Sequence, residues 1–352
     1  MAVRLKDIAD RLNVSVQAVS IALNNRPSTA RISDELRERI VRTANEMGYR
    51  PNRLARGLAQ GRSRTLGLLQ MTGDYSPFTR VASGVEDEAL AAGFLILVCN
   101  TYALPERERT YLRAFAEARV DGIIAVASSH TEMAEEVLAH RPAGTPLVSV
   151  NRRVDQANVI SILIKNREAA RKVTEHLLEQ GRRRIAYLDA PEDAGLRIHP
   201  LQSSVDRREG YRDAMRAAGL EPRVVTLTDA WYENRVEAAR SVASRLLEEP
   251  EPPDALFGVT DYAAAGALYA CLSCGLRVPE DVAVAGFDDA EIGRFAMVPI
   301  TTVRQPFYEA GRQAVRHLLS WKESESPAYE YLECELLPRA STGAMEEPKT
   351  SP

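Results

Sequence analysis

The chain has 352 residues, of which 45% are hydrophobic and 27% charged. That is longer than one ordinary domain and too apolar for a disordered or fibrous chain. The longest apolar runs, such as 94–99, fall far short of the ~18–20 residues of a membrane helix. The start, Met-Ala-Val-Arg-Leu-Lys-Asp, holds no apolar signal core. Four cysteines make no disulfide framework and fit a reducing compartment. A cytoplasmic protein with no membrane partner is expected.

Charge is unevenly distributed. Residues 1–64 carry 13 Lys+Arg against 6 Asp+Glu, a balance of +7, and the remainder carries 32 against 43, a balance of −11. A basic head on an acidic body predicts that the head meets a polyanion and the body does not.

In the head, Leu5, Ile8, Ala9 and Leu12 recur at helical spacing and predict a short first helix. Ser15 is a good N-cap for a second over 16–24. Val19 and Leu23 are expected to face inward on it, with Val16, Gln17, Ser20 and Ile21 on the opposite face. Ser33 caps a third helix, with Asp34 and Glu35 in its first turn, where the helix dipole favours acids. Its buried side is Leu36, Ile40, Ala44 and Met47, and Gly48 ends it. Two short helices, a tight turn and a third helix fit a helix-turn-helix, although any small three-helix domain shows these periods. Residues 51–60 come next as a marginal helix or a plain linker, since Pro51 suits a helix start and Gly57 weakens the helix beyond it.

The run Leu5-Lys-Asp-Ile-Ala, then Val14-Ser15-Val16-Gln17-Ala18-Val19-Ser20, then Met47-Gly48-Tyr49-Arg50-Pro51-Asn52-Arg53-Leu54-Ala55-Arg56-Gly57-Leu58, resembles the lactose/galactose repressor (LacI/GalR) family in order and spacing. The resemblance implies a head that binds a near-palindromic double-stranded DNA operator. It implies that Val16, Gln17 and Ile21 read bases, and that Ser15, Ser20, Asn24 and Ser33 hold phosphates or position the head. Asn52, Arg53, Ala55 and Leu58 would serve the hinge, with Leu58 as an apolar wedge in the minor groove. Ile21 departs from the basic residue common at its position. It cannot donate to guanine and could touch a thymine methyl.

From Thr65 onward strands and helices alternate. Apolar runs at 66–71, 94–99, 122–127, 146–150, 160–164, 185–188, 224–227, 255–259 and 282–287 predict strands. Helical patterns fall at 81–92, 105–119, 167–180, 206–218, 235–247 and 262–272. Such alternation predicts doubly wound parallel sheets in an α/β body, and ~280 residues is enough for two lobes. Ligands in such sheets bind at the carboxyl ends of the strands.

The body also resembles the family's effector domain, whose fold is shared with periplasmic sugar-binding proteins. The matching pieces include Val120-Asp-Gly-Ile-Ile, Arg207-Arg-Glu-Gly-Tyr, Asp281-Val-Ala-Val-Ala-Gly-Phe-Asp-Asp and Thr301-Thr-Val-Arg-Gln-Pro. By that resemblance Arg207 and Asp288 grip the effector. Asn151, Thr260, Phe78, Thr79 and Trp231, or its neighbour Tyr232, line the cleft. An arginine fork, a carboxylate and an aromatic face suit a polyhydroxylated or planar polar ligand. On residue chemistry alone, Arg207 could instead pair with Asp206 or Glu209 at the surface, Asp288 could cap a helix beside an exposed Asp289, and Trp231 could pack in a core.

Cys271 and Cys274 form a C-x-x-C with no second ligand pair, so no metal is expected. No G-x-G-x-x-G follows a strand, and neither a G-x-S-x-G nor a P-loop occurs, so neither a cofactor nor catalysis is expected. The expected organisation is a helix-turn-helix domain over 1–50, a hinge over 51–64, a two-lobed effector and dimerisation domain over 65–343, and a loose tail over 344–352. The resemblance implies a repressor that is a homodimer or higher, switched by a small ligand, a sugar or sugar derivative. A purine-like corepressor and a sugar-binding protein without regulation are the competing readings.

Overall fold

A computed structural model describes residues 3–24, 32–49, 63–71, 78–102, 104–126, 141–142, 144–191, 202–228, 231, 233–324 and 326–343. The chain divides into two compact units, Met1–Ser63 and Arg64–Pro352.

The first unit holds α1 (Leu5–Leu12), α2 (Val16–Asn24) and α3 (Asp34–Glu46). At the start of α1, Arg4 N donates to Asp7 Oδ2 at 2.7 Å. Asn13, at φ +53°, ends the helix in the left-handed conformation that asparagine tolerates. Ile8, Ala9, Val19, Ala22, Ile40 and Ala44 form the core, ringed by Leu5, Leu12, Leu23, Leu36 and Met47.

The second unit builds two α/β lobes. The first lobe contains β1 (Thr65–Gln70), α4 (Thr79–Ala91), β2 (Leu95–Asn100), α5 (Pro105–Glu117), β3 (Gly122–Val126), β4 (Leu147–Val150) and β5 (Val159–Ile164). The second contains α6 (Asn166–Glu179), β6 (Ile185–Asp189), α7 (Gln202–Ala217), β7 (Arg223–Thr226), α8 (Arg235–Leu247), β8 (Ala255–Gly258), α9 (Asp261–Ser273), β9 (Ala283–Ala285) and α10 (Glu291–Arg294). After β10 (Thr302–Arg304) come α11 (Phe307–Leu319), β11 (Ala328–Leu332) and β12 (Glu335–Leu337).

The first sheet runs β11-β5-β4-β3-β1-β2 and the second β7-β6-β8-β9, with every neighbouring pair parallel. The parallel strands β1, β3, β4, β6, β8 and β9 are buried on both faces, which is why they read as continuous apolar runs. In the first lobe Leu66, Leu68, Ile124 and Val148 pack on the side of α4 and α11, while Leu69, Ile123 and Ala125 pack against Leu112 and Phe115 of α5. All nine strands expected from the apolar runs are present.

The chain passes between lobes three times. It leaves β5 for α6, leaves β10 for α11, and leaves β11, which pairs with β5, for β12, which pairs with β10. Phe307 of α11 belongs to the first-lobe core, whereas Val303 of β10 belongs to the second.

Candidate functional site

Helix α2 presents its first turn to solvent. Ser15 Oγ accepts from Ala18 N at 3.1 Å and so caps the helix. Val16 is 45% exposed, Gln17 is exposed and Val19 is wholly buried. Ile21 departs from the expected outward face, because it is only 9% exposed. It lies one 100° step from the buried Ala22, and long side chains on helices lie back over the preceding turn. Ser20 is half-buried, and Ser33 Oγ accepts from Leu36 N at 3.2 Å as the cap of α3. Asn52, Arg53, Ala55, Leu58 and Tyr232 lie outside the described residues, as does the side chain of Asn24.

In the body, Arg207 of α7 meets Asp288, which lies just beyond the carboxyl end of β9. The two form one buried pair, with Arg207 Nη2 3.1 Å from Asp288 Oδ1 and side-chain exposures of 6% and 9%. The surface pairing of Arg207 and the capping role of Asp288 are both replaced by this contact. Arg207 Nε donates to Asn166 Oδ1 at 3.0 Å and Nη1 to the Val259 carbonyl at 2.8 Å. Its guanidinium lies 3.9 Å from the centroid of the Phe287 ring. Gln305 Nε2 donates to Asp288 Oδ1 at 2.6 Å. Burial pushes the Asp288 carboxyl up, and Arg207 offsets this only in part.

Asp288 and Asp289 have φ of +108° and +51°. Two successive non-glycine residues in that region store roughly 1–3 kcal/mol each, and such strain concentrates at functional sites. The ladder holds them, with Asp288 N donating to the Val303 carbonyl at 3.0 Å and Asp289 N to Thr302 Oγ1 at 3.3 Å.

Asp289 is buried rather than exposed, and guanidiniums surround it. Arg339 lies at 2.5 Å, Arg304 at 2.8 Å, Arg294 at 3.0 Å and Arg80 of the first lobe at 3.9 Å. Burial raises its carboxyl, yet Arg339 and Arg304 outweigh that and hold it below the usual range. Asp261 behaves oppositely. It accepts from Thr302 Oγ1 and Ala290 N, both at 2.6 Å, and burial together with the nearby Asp288 drives it well above that range.

Around the pair, Arg208 Nη1 lies 2.8 Å from Asp189 Oδ2. Tyr187 stacks on Tyr211 at 5.2 Å, fully buried, and its hydroxyl meets no partner among the described residues. Asn151, at φ +57°, lies 3.5 Å through its Oδ1 from Asn166 Nδ2. Thr260 caps α9 by accepting from Ala263 N. Thr79 is exposed at the start of α4.

Two expected cleft aromatics are core residues instead. Phe78 is 6% exposed and packs edge-on against Phe307 at 5.1 Å, because the chain entering α4 must cover the first-lobe core. Trp231 is 5% exposed and belongs to the second-lobe core, the alternative that its residue chemistry allowed. Asn166, Gln305, Arg208 and Asp189 were not expected. Each sits on or just beyond a strand end or in the turn following Arg207, and that position was the available signal.

Cys271 is buried, which pushes its thiol up to about 12, while Cys274 is exposed. Among the described residues no group of three His, Cys, Asp or Glu side chains gathers as a metal site. No described helix is long and apolar enough to cross a membrane.

Residues 4–52 match the family described as bacterial regulatory proteins, lacI family, and residues 174–342 match the periplasmic binding protein-like domain. The chain is 32% identical over 321 residues to the ribose operon repressor of Halalkalibacterium halodurans, covering 91% of each. It is 31% identical over 350 residues to the HTH-type transcriptional repressor CytR of Escherichia coli strain K12, covering 98% of this chain and 97% of that one. The structure of the Lac repressor dimer bound to operator and the anti-inducer ONPF matches with a TM-score of 0.82 at 25% identity, covering 98% of this chain and 100% of that one. A three-helix head whose α2 exposes its first turn, joined in one chain to two doubly wound lobes, is the architecture these likenesses share, and the chain belongs to the LacI family of bacterial regulatory proteins.

Proposed function

We propose that the protein is a cytoplasmic transcriptional repressor without catalytic activity. It binds a near-palindromic operator as a homodimer, and a small polar ligand between its lobes switches that binding. The observation that carries this reading is the buried Arg207–Asp288 pair and its attachments. Asn166, which holds Arg207, begins α6 just after the first passage between lobes, and Gln305, which holds Asp288, lies in the second. A ligand engaging the pair therefore acts on two of the three segments about which the lobes move, a route from ligand to lobe geometry.

In this reading Val16 and Gln17 reach base edges, Ser15 and Ser33 face phosphates, and Ile21 plays no reading part while it stays buried. Residues 51–64 form the hinge, with Leu58 in the minor groove, 65–343 form the effector domain and 344–352 a tail. The ligand is a sugar or sugar derivative, gripped by Arg207 and Asp288 with Asn151 and Thr260 at the rim.

The test is selection of bound duplexes from a random pool. The reading expects an enriched two-fold-related sequence, and expects Gln17→Ala to weaken binding to it by about 1–3 kcal/mol while leaving binding to random DNA nearly unchanged. Equal losses on both would remove Gln17 as a base reader. No enrichment would leave a sugar-binding protein without regulation.

A further inference from the structure

We propose that the ligand between the lobes is anionic, a polyhydroxylated compound bearing a carboxylate or phosphate that Arg235 receives. The proposal rests on the reading of that cleft as the ligand site.

Two arginines of the cleft are already neutralised by protein. Arg207 pairs with Asp288 at 3.1 Å and Arg208 with Asp189 at 2.8 Å. Arg235 is different. It is exposed and forms no ion pair or hydrogen bond among the described residues. The acid nearest along its helix, Glu237, is committed to Arg240 through both carboxylate oxygens, at 2.6 and 2.8 Å. Arg235 thus stands without an ion-pair partner among the described residues, beside two neutral pairs.

The helix dipole does not favour a cation at that position, since Arg235 is the first residue of α8. Its guanidinium lies 5.9 Å from the Trp231 ring centroid and 5.8 Å from that of Tyr262. Both are at the outer limit of a cation–π contact, so the aromatics flank the group without occupying it. Tyr262 follows Thr260 and Asp261 at the carboxyl end of β8, which puts Arg235 at the cleft rim. Its charge also reaches Asp288, whose carboxyl it pulls downward. An anion arriving here meets the free guanidinium, while its hydroxyls meet Asp288 and Arg207.

The experiment measures melting temperature with matched ligands at equal concentration. The pairs are D-galacturonate with D-galactose, D-glucuronate with D-glucose, and ribose 5-phosphate with D-ribose. Each is run on the wild type, on Arg235→Gln and on Arg240→Gln, and any stabilising ligand is then titrated calorimetrically. The expected result is that a charged member stabilises the wild type while its neutral partner does not. Arg235→Gln should weaken that ligand about tenfold and Arg240→Gln should not, since a charge-assisted contact is lost in only one of them. The carboxylate and phosphate pairs separate the two sources of charge. If neutral sugars stabilise as well as their charged partners and Arg235→Gln binds them unchanged, the anionic assignment is overturned and the cleft remains a ligand site. If no member stabilises the protein, both fall together.

Discussion

Arg207 and Asp288 bury opposite charges with almost no access to solvent, so removing one leaves the other uncompensated. Arg207→Ala should therefore lower unfolding free energy by ~3–5 kcal/mol as well as abolish ligand binding. The double variant Arg207→Ala with Asp288→Ala should cost clearly less than the sum of the single changes, read from urea unfolding. Additive costs would show that the two do not depend on each other.

Asp289 gives a pH signature at the same scale. Its carboxyl is held low, so its contribution to stability is present above the ordinary carboxylate range and lost as pH falls through the folded value. Asp261 is raised, so its contribution is present at low pH and lost as pH rises through its folded value. Asp289 is therefore one contributor to the acid limb of a melting curve series, together with other ion-paired carboxylates such as Glu88, Asp213 and Asp281. Arg304→Gln removes a partner at 2.8 Å and should move the onset of acid destabilisation to higher pH. An unchanged onset would mean that the remaining guanidiniums hold Asp289 alone.

Among the elements, three helix pairs approach so closely that a glycine at the crossing has no room for a Cβ. One added at Gly84 of α4 would lie 2.0 Å from the Tyr308 carbonyl oxygen, and one at Gly210 of α7 would lie 2.0 Å from that of Arg167. At Gly266 of α9 the Val236 carbonyl oxygen would be 2.3 Å away. Backbone cannot yield as a flexible side chain does. Gly210→Ala should thus destabilise by ~1–3 kcal/mol or more, because α6 and α7 must separate. Denaturation equal to wild type would contradict the close crossing.

The same physics decides which elements are legible in the sequence. Strands buried on both faces leave unbroken apolar runs, so most of β1 to β9 are legible in this way, while edge strands β2 and β7 are legible from their apolar composition although they are partly exposed. Strands β10, β11 and β12 are interrupted by polar residues, Thr302 and Arg304, Glu330, and Glu335, so none produces an apolar run. Helix α11 went unread although Phe307, Ala310, Gly311, Ala314, Val315 and Leu318 carry helical spacing and are buried. Arg207 and Asp288 were legible by resemblance, but their pairing and its ties to Asn166 and Gln305 depend on passages between lobes that no local pattern records. Ile21, Phe78 and Trp231 are more buried than their spacing suggests. An apolar side chain beside a site is drawn into the nearest core, and spacing does not reveal how far that core extends.

At the scale of the whole molecule, several large apolar side chains are exposed. Edge strand β2 leaves Leu95 49%, Leu97 40% and Val98 52% exposed, and α4 leaves Leu90 71% exposed. In the second lobe Phe295 is 78% and Met297 83% exposed. Patches of this kind mark protein interfaces, and a two-fold pairing of subunits suits a near-palindromic operator. Leu97→Lys should raise the dimer dissociation constant in sedimentation equilibrium and lower operator affinity in parallel. A dimer that survives unchanged would place the subunit contact elsewhere.

The coupling of cleft to operator is the central claim, and one measurement addresses it directly. Operator affinity is titrated at fixed salt with and without a ligand already shown to raise the melting temperature, for the wild type and for Asp288→Asn. The ligand should change wild-type operator affinity by at least about fivefold, the lower range of allosteric coupling. Asp288→Asn should bind operator like the ligand-free wild type and no longer respond. A ligand that stabilises the protein yet leaves operator affinity unchanged would contradict the coupling.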